Sequence, residues 1–185
     1  MFPDDSELIR RFQGGDPQAF EKLVRKHQRP LFTFLCRLVG NRESAEDLFQ
    51  DTFVRVLEAL PAYVDDGRFV RWLFRIANHL AIDHVRRQQR RHREVLNEEV
   101  YLSGAAGKAQ SVESDVERLE LTRLVERLLL RLPEKQRQVF LLRLQAQLSF
   151  KEIADLLDEP LNTVLSHMHY AVTKLRKQLR AVDAG

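Results

Sequence analysis

Apolar residues recur at helical spacing along most of this chain. In the stretch that starts at residue 69 they follow the offsets i, i+3, i+4, i+7, i+8 and i+11, which place them on one face of a helix. These positions are Phe69, Trp72, Leu73, Ile76, Ala77 and Leu80. No segment alternates convincingly between apolar and polar residues, as a half-buried strand would. The pattern therefore predicts an all-α fold.

Start and stop signals divide the N-terminal half into four helices. Asp16 can cap the second helix, which follows a short first one, and Gly40 can end it. Asn41 can cap a third helix that ends near Leu60. A fourth helix is predicted from about residue 67 to about residue 93.

Residues 97–113 differ from the rest because they hold few large apolar groups and several small or acidic ones. Such a segment buries too little surface to offset the entropy lost on ordering, so it predicts a flexible acidic linker. We expect two small helical domains, at 1–94 and 114–185, with the linker at 95–113 between them.

The C-terminal domain contains a short helix, a tight turn and a longer helix. Ser149 and Glu152 form a capping-box pattern before the short helix, and 158–160 supply the turn. This plan is that of a DNA-reading helix-turn-helix, although an ordinary antiparallel helix pair fits equally well. The residues expected to face inward are Leu161, Val164, Met168, Ala171 and Leu175. Those expected to face DNA are Asn162, Thr163, Ser166, His167, Tyr170 and Lys174.

The fourth helix is basic on the side opposite its apolar stripe. Its polar arc holds Arg68, Arg71, Arg75, Asn78, His79 and Arg86. Arginines one turn apart suit a nucleic-acid backbone, and short polar groups among them can reach a base edge. Ile82 falls in the same arc, and because it is apolar we expect the linker or DNA to cover it.

The third helix has the opposite charge. Its inward set is Ala45, Leu48, Phe49, Thr52, Phe53, Val56 and Leu57, and its outward set is Glu43, Asp47, Gln50, Asp51, Val54 and Glu58. An acidic face suits docking on a basic protein surface and repels DNA, although a plain solvated face is the alternative.

Charge is concentrated although the net charge is only +3. Residues 68–93 carry 8 basic and 1 acidic side chains, or +7, whereas 1–67 sum to −3. A basic block between acidic stretches is typical of a polyanion-binding site.

Other classes of function are disfavoured. Cys36 is the single cysteine, so it predicts no disulfide framework and fits a reducing cytoplasm. No apolar run is long enough for a membrane span. We find no metal-ligand spacing, phosphate loop or nucleophile–base set, so we expect no enzyme activity, no cofactor and no small-molecule substrate.

Several segments together resemble the extracytoplasmic-function (ECF) sigma factors of bacterial RNA polymerase. Residues 45–53 (AEDLFQDTF), 69–77 (FVRWLFRIA) and 83–87 (DHVRR) are similar to sigma region two. Residues 132–137 (LPEKQR) and 148–154 (LSFKEIA) are similar to the start of region four. The resemblance covers about 160 residues.

The resemblance implies roles for particular residues. It implies that core polymerase is bound by Asp47, Gln50, Asp51 and Phe53. It implies that the −10 element is bound by Tyr63, in the loop of residues 61–67, and by Arg68, Arg71, Arg75, Asn78, His79 and Arg86. It implies that the −35 element is bound by the outward residues of the helix-turn-helix, and that an anti-sigma factor sequesters the chain.

The chain departs from the family pattern in its recognition helix. Leu165, His167 and Tyr170 stand where basic residues are usual, so −35 contacts are expected to be weak. Two other functions stay open: a helix-turn-helix regulator that acts without polymerase, and a sigma-like adaptor that binds only protein.

Overall fold

A computed structural model describes residues 4–96 and 124–183. It confirms the all-helical prediction, because neither range contains a strand. The helices are α1 (Asp5–Gln13), α2 (Pro17–Val39), α3 (Arg42–Ala59), α4 (Phe69–Leu96), α5 (124–130), α6 (Glu134–Gln145), α7 (Phe150–Leu157) and α8 (Leu161–Asp183). A short 3-10 turn, Leu60–Ala62, follows α3.

Side-chain caps start three of these helices where the sequence predicts them. Asp16 Oδ1 accepts a hydrogen bond from the Gln18 amide at 3.0 Å, and Asn41 Oδ1 accepts one from the Ser44 amide at 2.9 Å. Ser149 forms the predicted capping box at the start of α7. Each cap satisfies amides that have no partner inside their own helix.

The N-terminal domain consists of α1 to α4 around an apolar core. Phe34 of α2 meets Phe74 of α4 edge to face, with 5.2 Å between the ring centroids. Leu23, Leu73 and Val56 are fully buried beside them. Burial of each such side chain contributes on the order of 1.5–3 kcal/mol to the stability of the fold. The same core packs α3 against α4.

In the C-terminal domain α8 packs against α6 and α7. Its interior includes Leu129, Val139, Ile153, Val164 and Ala171, all at most 1% exposed. The turn between α7 and α8 spans residues 158–160, as predicted, and the helix-turn-helix arrangement is present.

Two predicted interior positions are wrong. Leu57 is 43% exposed and Leu161 is 44% exposed. Leu57 lies roughly 100° from the middle of the apolar stripe of α3, at its edge. Leu161 is the first residue of α8, and side chains in a helix lean toward its N-terminus, so Leu161 points away from the core.

The two domains contact each other. α6 packs on α2, and the side chain of Leu130 lies against Gly40, which ends α2 with a φ of 76°. A Cβ atom at Gly40 would lie 2.7 Å from Leu130 Cδ2, so a side chain there would displace Leu130, and the positive φ itself favours glycine. The predicted linker, 95–113, and the predicted domain start at 114 lie outside the described residues, except that 95 and 96 belong to α4.

Candidate nucleic-acid and protein interfaces

The polar face of α3 forms what we call the acidic surface. It comprises Glu43, Asp47, Gln50, Asp51 and Glu58, all of which are exposed. Val54 stands among them with 53% of its surface exposed. Within the described ranges neither Asp47 nor Asp51 has an ion-pair partner. These carboxylates are therefore available to a basic partner.

Phe53 lies behind this surface rather than in it. Only 8% of its surface is exposed. Its ring meets the rings of Phe49 and Phe20 at centroid distances of 5.0 and 6.3 Å. Phe53 therefore supports α3 from the core side, and any effect it has on binding acts through the position of the helix.

A shallow groove borders the acidic surface between α2 and α3. Its volume is about 350 Å³. Its walls include Phe32 and Phe49 from the two helices, and Gln50 links the groove to the acidic surface. An apolar side chain of a protein partner could enter the groove while basic groups meet the carboxylates.

The predicted −10 residues on α4 fall into two groups. Arg75, His79 and Arg86 are exposed. Arg71 is half-buried, and Asn78 is only 4% exposed. Asn78 Oδ1 has no hydrogen-bond partner among the described residues. The basic face of α4 is therefore only partly accessible in this conformation.

The loop before α4 carries an aromatic pair. Tyr63 stacks on Trp72 with 4.4 Å between ring centroids and 32° between ring planes. Burial, followed by the nearby charges of Asp66 and Asp65, raises the pKa of the Tyr63 phenol to about 12. The Tyr63 hydroxyl therefore stays protonated at neutral pH and can act as a hydrogen-bond donor.

Sequence reasoning missed the residue that holds this loop. Gln13, at the end of α1, donates hydrogen bonds from Nε2 to the carbonyl oxygens of Leu60 and Tyr63, at 3.0 and 2.8 Å. A separation of about fifty residues leaves no periodic signal that could have revealed this contact. Gln13 couples α1 to the segment that carries Tyr63.

The recognition helix α8 presents mostly neutral groups. Asn162, Ser166 and Tyr170 are exposed, whereas Thr163 and His167 are half-buried. His167 Nε2 lies 3.5 Å from Glu159 Oε2, in the turn that precedes the helix. Lys174 lies one helical turn beyond Tyr170, and its Nζ donates a hydrogen bond to the carbonyl oxygen of Arg131 at 3.1 Å.

Two further properties concern the described residues alone. Within them, no group of three or more His, Cys, Asp and Glu side chains is placed to hold a metal ion. None of the helices in these ranges combines the length and the apolar character that crossing a bilayer requires.

Comparisons with known proteins follow the same division into domains. Residues 23–91 match the family model for Sigma-70 region 2, and residues 122–175 match the model for Sigma-70 region 4. Region 2 thus spans α3, the loop and α4, and region 4 spans the helix-turn-helix. Gln13 lies outside both matches.

Similar proteins match over almost the whole chain. The ECF RNA polymerase sigma factor SigW of Bacillus subtilis is 32% identical over 177 residues, which are 93% of this chain and 95% of SigW. The ECF RNA polymerase sigma-E factor of Escherichia coli is 33% identical over 172 residues, which are 90% of each chain.

A solved structure shares the arrangement of the helices. The structure of CnrH in complex with the cytosolic domain of CnrY matches with a TM-score of 0.72 and 26% identity, and the match covers 97% of this chain and 99% of that one. Sequence, domain order and fold therefore agree, and the chain belongs to the ECF family of RNA polymerase sigma factors.

Proposed function

We propose that this sigma factor binds core RNA polymerase through the acidic surface of α3, reads and opens the −10 element with α4 and the preceding loop, and contacts the −35 element with α8. The observation that carries the proposal is the pairing of two adjacent helices of opposite charge in one domain. An acidic helix repels DNA and attracts a basic protein surface. An arginine-bearing helix attracts DNA and repels a basic protein surface. One domain can therefore hold polymerase and promoter at the same time.

Polymerase binding is assigned to Asp47, Gln50 and Asp51, with Phe53 supporting them from the core. The exposed Val54 and the adjoining groove add an apolar component, which suits a partner that is itself amphipathic. Such a mixture of a buried apolar anchor and a charged rim is common at protein–protein interfaces.

Promoter opening is assigned to the arginine side of α4 and to the loop. Arg71, Arg75 and Arg86 would hold phosphates, and Asn78 and His79 would contact base edges. Arg68 lies at the start of this face, next to the loop. Since Asn78 is only 4% exposed in this conformation, its role requires that the segments covering it move away.

The loop with Tyr63 would receive a base taken out of the stack. Extraction of a base costs a few kcal/mol, and contacts within a receiving site recover that cost. The Tyr63–Trp72 pair supports this role because its ring faces are apolar and its phenol stays protonated. Gln13 would keep the loop in place.

Contact with the −35 element is assigned to Asn162, Thr163, Ser166, His167 and Tyr170, with Lys174 at the far end. These side chains can donate and accept hydrogen bonds at base edges but supply little positive charge. The −35 contact would thus add sequence preference more than affinity.

Regulation by a sequestering protein is part of the proposal. A solved structure of the sigma factor RpoE from Bartonella quintana in complex with the anti-sigma factor NepR is 23% identical to this chain and has the same fold, with a TM-score of 0.68. For this chain we propose a cytoplasmic location and an anti-sigma partner that covers the acidic surface. In this account the protein has no catalytic activity of its own.

The test exchanges charge on the acidic surface. Asp47→Arg together with Asp51→Arg should abolish co-purification with core polymerase, because two attractive contacts become repulsive. The matched control is Glu7→Arg together with Glu21→Arg, which makes the same change in net charge at exposed positions elsewhere. Helical content should be unchanged in both. Binding that survives in the first variant contradicts the assignment and favours a regulator that acts without polymerase.

A further inference from the structure

The first two turns of α8 present two leucines to solvent. Among residues 161–168 the exposed side chains are those of Leu161, Asn162, Leu165 and Ser166. Leu161 is 44% exposed and Leu165 is 41% exposed. The two leucines are spaced i, i+4, so they lie one turn apart on the same side of the helix. Half of the exposed side chains in this segment are therefore apolar.

These leucines occupy the part of a helix-turn-helix that reaches the bases. In this motif the N-terminal residues of the second helix lie in the major groove and contact base edges. Asn162 and Ser166, which are assigned above to the −35 contact, each directly follow one of the leucines in the chain. The apolar pair is therefore continuous with the surface proposed to meet DNA.

Fixed positive charge is absent from this surface. Residues 161–173 contain no lysine or arginine. His167 is half-buried, and its Nε2 lies 3.5 Å from Glu159 Oε2. The other carboxylate oxygen of Glu159 lies 2.6 Å from Lys135 Nζ. The commonest base-specific contact joins arginine or lysine to guanine, so residues 161–173 cannot make it.

An exposed leucine suits one chemical group in the major groove. Guanine, cytosine and adenine present hydrogen-bond donors and acceptors there, whereas thymine presents a 5-methyl group as well as an acceptor. A leucine placed against a donor or an acceptor would remove its water without replacing the hydrogen bond, which is unfavourable. A leucine placed against the methyl group buries apolar surface on both partners, which is favourable. The leucines therefore favour thymine.

We propose that Leu161 and Leu165 read thymine in the −35 element by packing on its 5-methyl group, beside the base contacts of Asn162 and Ser166. The inference rests on the proposed function for the placement of α8 in the −35 major groove. It adds two residues to that contact and names the base that they select. It also gives a role to the exposure of Leu161, which helical periodicity did not predict.

The first test replaces thymine by uracil, which removes the methyl group and leaves the base pair intact. Core polymerase reconstituted with this chain is offered promoters located by mapping transcript 5′ ends. The thymines of the −35 element, on either strand, are replaced one at a time by deoxyuridine. Affinity in competition with the unmodified promoter should fall about two- to fourfold at each contacted thymine, as loss of one buried methyl group implies. Affinity that is unchanged at every −35 position would overturn the proposal.

The second test assigns the methyl effect to the leucines. Leu161→Asn and Leu165→Asn keep a side chain of similar size but present polar atoms. At a contacted position, one of these variants should abolish the difference between thymine and uracil. Leu144→Asn is the matched control, because Leu144 is 49% exposed and lies in α6, and it should keep the full difference. A difference that persists in both α8 variants would show that the methyl group acts through the shape of the DNA, and the proposal would be wrong.

A scrambled −35 element separates this proposal from the proposed function. If scrambling leaves initiation by the parent chain unchanged, α8 does not contact the −35 element, and both the proposed −35 role and the thymine contact fail. If scrambling lowers initiation but uracil has no effect, the −35 contact stands and the thymine contact alone is refuted. The proposal predicts that scrambling and uracil both weaken the parent complex.

Discussion

The two helices proposed to contact DNA differ in both charge and accessibility. α4 lies in a segment with a net charge of +7, but Arg71 and Arg86, on the side proposed to face DNA, pair with Asp155 and Glu134 of the C-terminal domain. Most of the proposed DNA contacts on α8 are exposed, but Lys174 is the single lysine or arginine among them. Positive charge and free access therefore lie on different helices. We therefore expect the isolated chain to bind promoter DNA weakly and to depend on polymerase for stronger binding.

The largest expected effect separates base reading from phosphate binding on α4. In the polymerase complex, Asn78→Ala or His79→Ala should alter which −10 bases are preferred, by about 1–3 kcal/mol for a good base contact. Arg75→Ala should weaken binding to all promoters alike and lower the log–log salt slope by about one. Initiation on duplex and pre-melted promoters, measured across salt concentrations, checks both effects.

The comparison of templates also tells which step each residue serves. An effect of Asn78→Ala that appears on duplex and pre-melted templates alike indicates base recognition. If neither Asn78→Ala nor His79→Ala changes base preference on either template, these residues do not specify the −10 sequence.

A smaller effect is expected from adding charge to α8. Leu165→Lys should raise the affinity of the chain for −35 duplex by up to about eightfold at 0.1 M salt and steepen the salt slope by about one. Leu165 is 41% exposed, so a lysine there can reach solvent and DNA. Leu179→Lys, near the other end of α8, is the control with the same charge. If the two variants bind equally, then α8 does not contact the duplex through this face.

The sequence predicted the architecture because its signals are local. Caps at Asp16, Asn41 and Ser149 depend on neighbours within a few residues, and all three are present. Helical periodicity likewise placed the core of α4 correctly at Phe69 and Leu73. Errors occurred where a position lies at the edge of an apolar stripe or at the first turn of a helix.

The sequence could not predict which residues of the candidate site are buried, because their burial depends on contacts between distant segments. Asn78 was expected to face DNA, and nothing near it in the sequence indicates that α7 packs on α4. The hydrogen bonds from Gln13 and the contact between Leu130 and Gly40 join residues about fifty to ninety positions apart. Ile82, an apolar residue in a basic arc, was the one local sign that part of this face is buried, and it is 6% exposed.

The smallest expected effect concerns the capping box of Ser149 and Glu152 at the start of α7, the helix that packs against α8. Hydrogen bonds from the side chain and the backbone amide of Ser149 lower the pKa of Glu152 below its ordinary value of 4.5. A carboxylate whose pKa is lower in the folded than in the unfolded chain stabilises the fold at pH values above the unfolded-state pKa. This contribution is lost as pH falls through the folded-state pKa. Ser149→Ala should therefore reduce the free energy of unfolding by about 1 kcal/mol at pH 7, and by less below pH 4.5.

Denaturant unfolding at pH 7 and at pH 3.5 measures this difference. Ser166→Ala is the control, because the Ser166 hydroxyl bonds to the Asn162 carbonyl within its own helix at 2.8 Å. A Ser149→Ala deficit that is unchanged at low pH would show that the capping box contributes no charge-dependent stability.

The central claim is that this chain gives core polymerase its promoter specificity. The most direct measurement combines purified core polymerase, the chain and fragmented genomic DNA, and maps the 5′ ends of the transcripts. The account predicts a limited set of start sites that share −10 and −35 sequences, and that disappear when Asp47→Arg and Asp51→Arg are introduced. Start sites identical with and without the chain would contradict it.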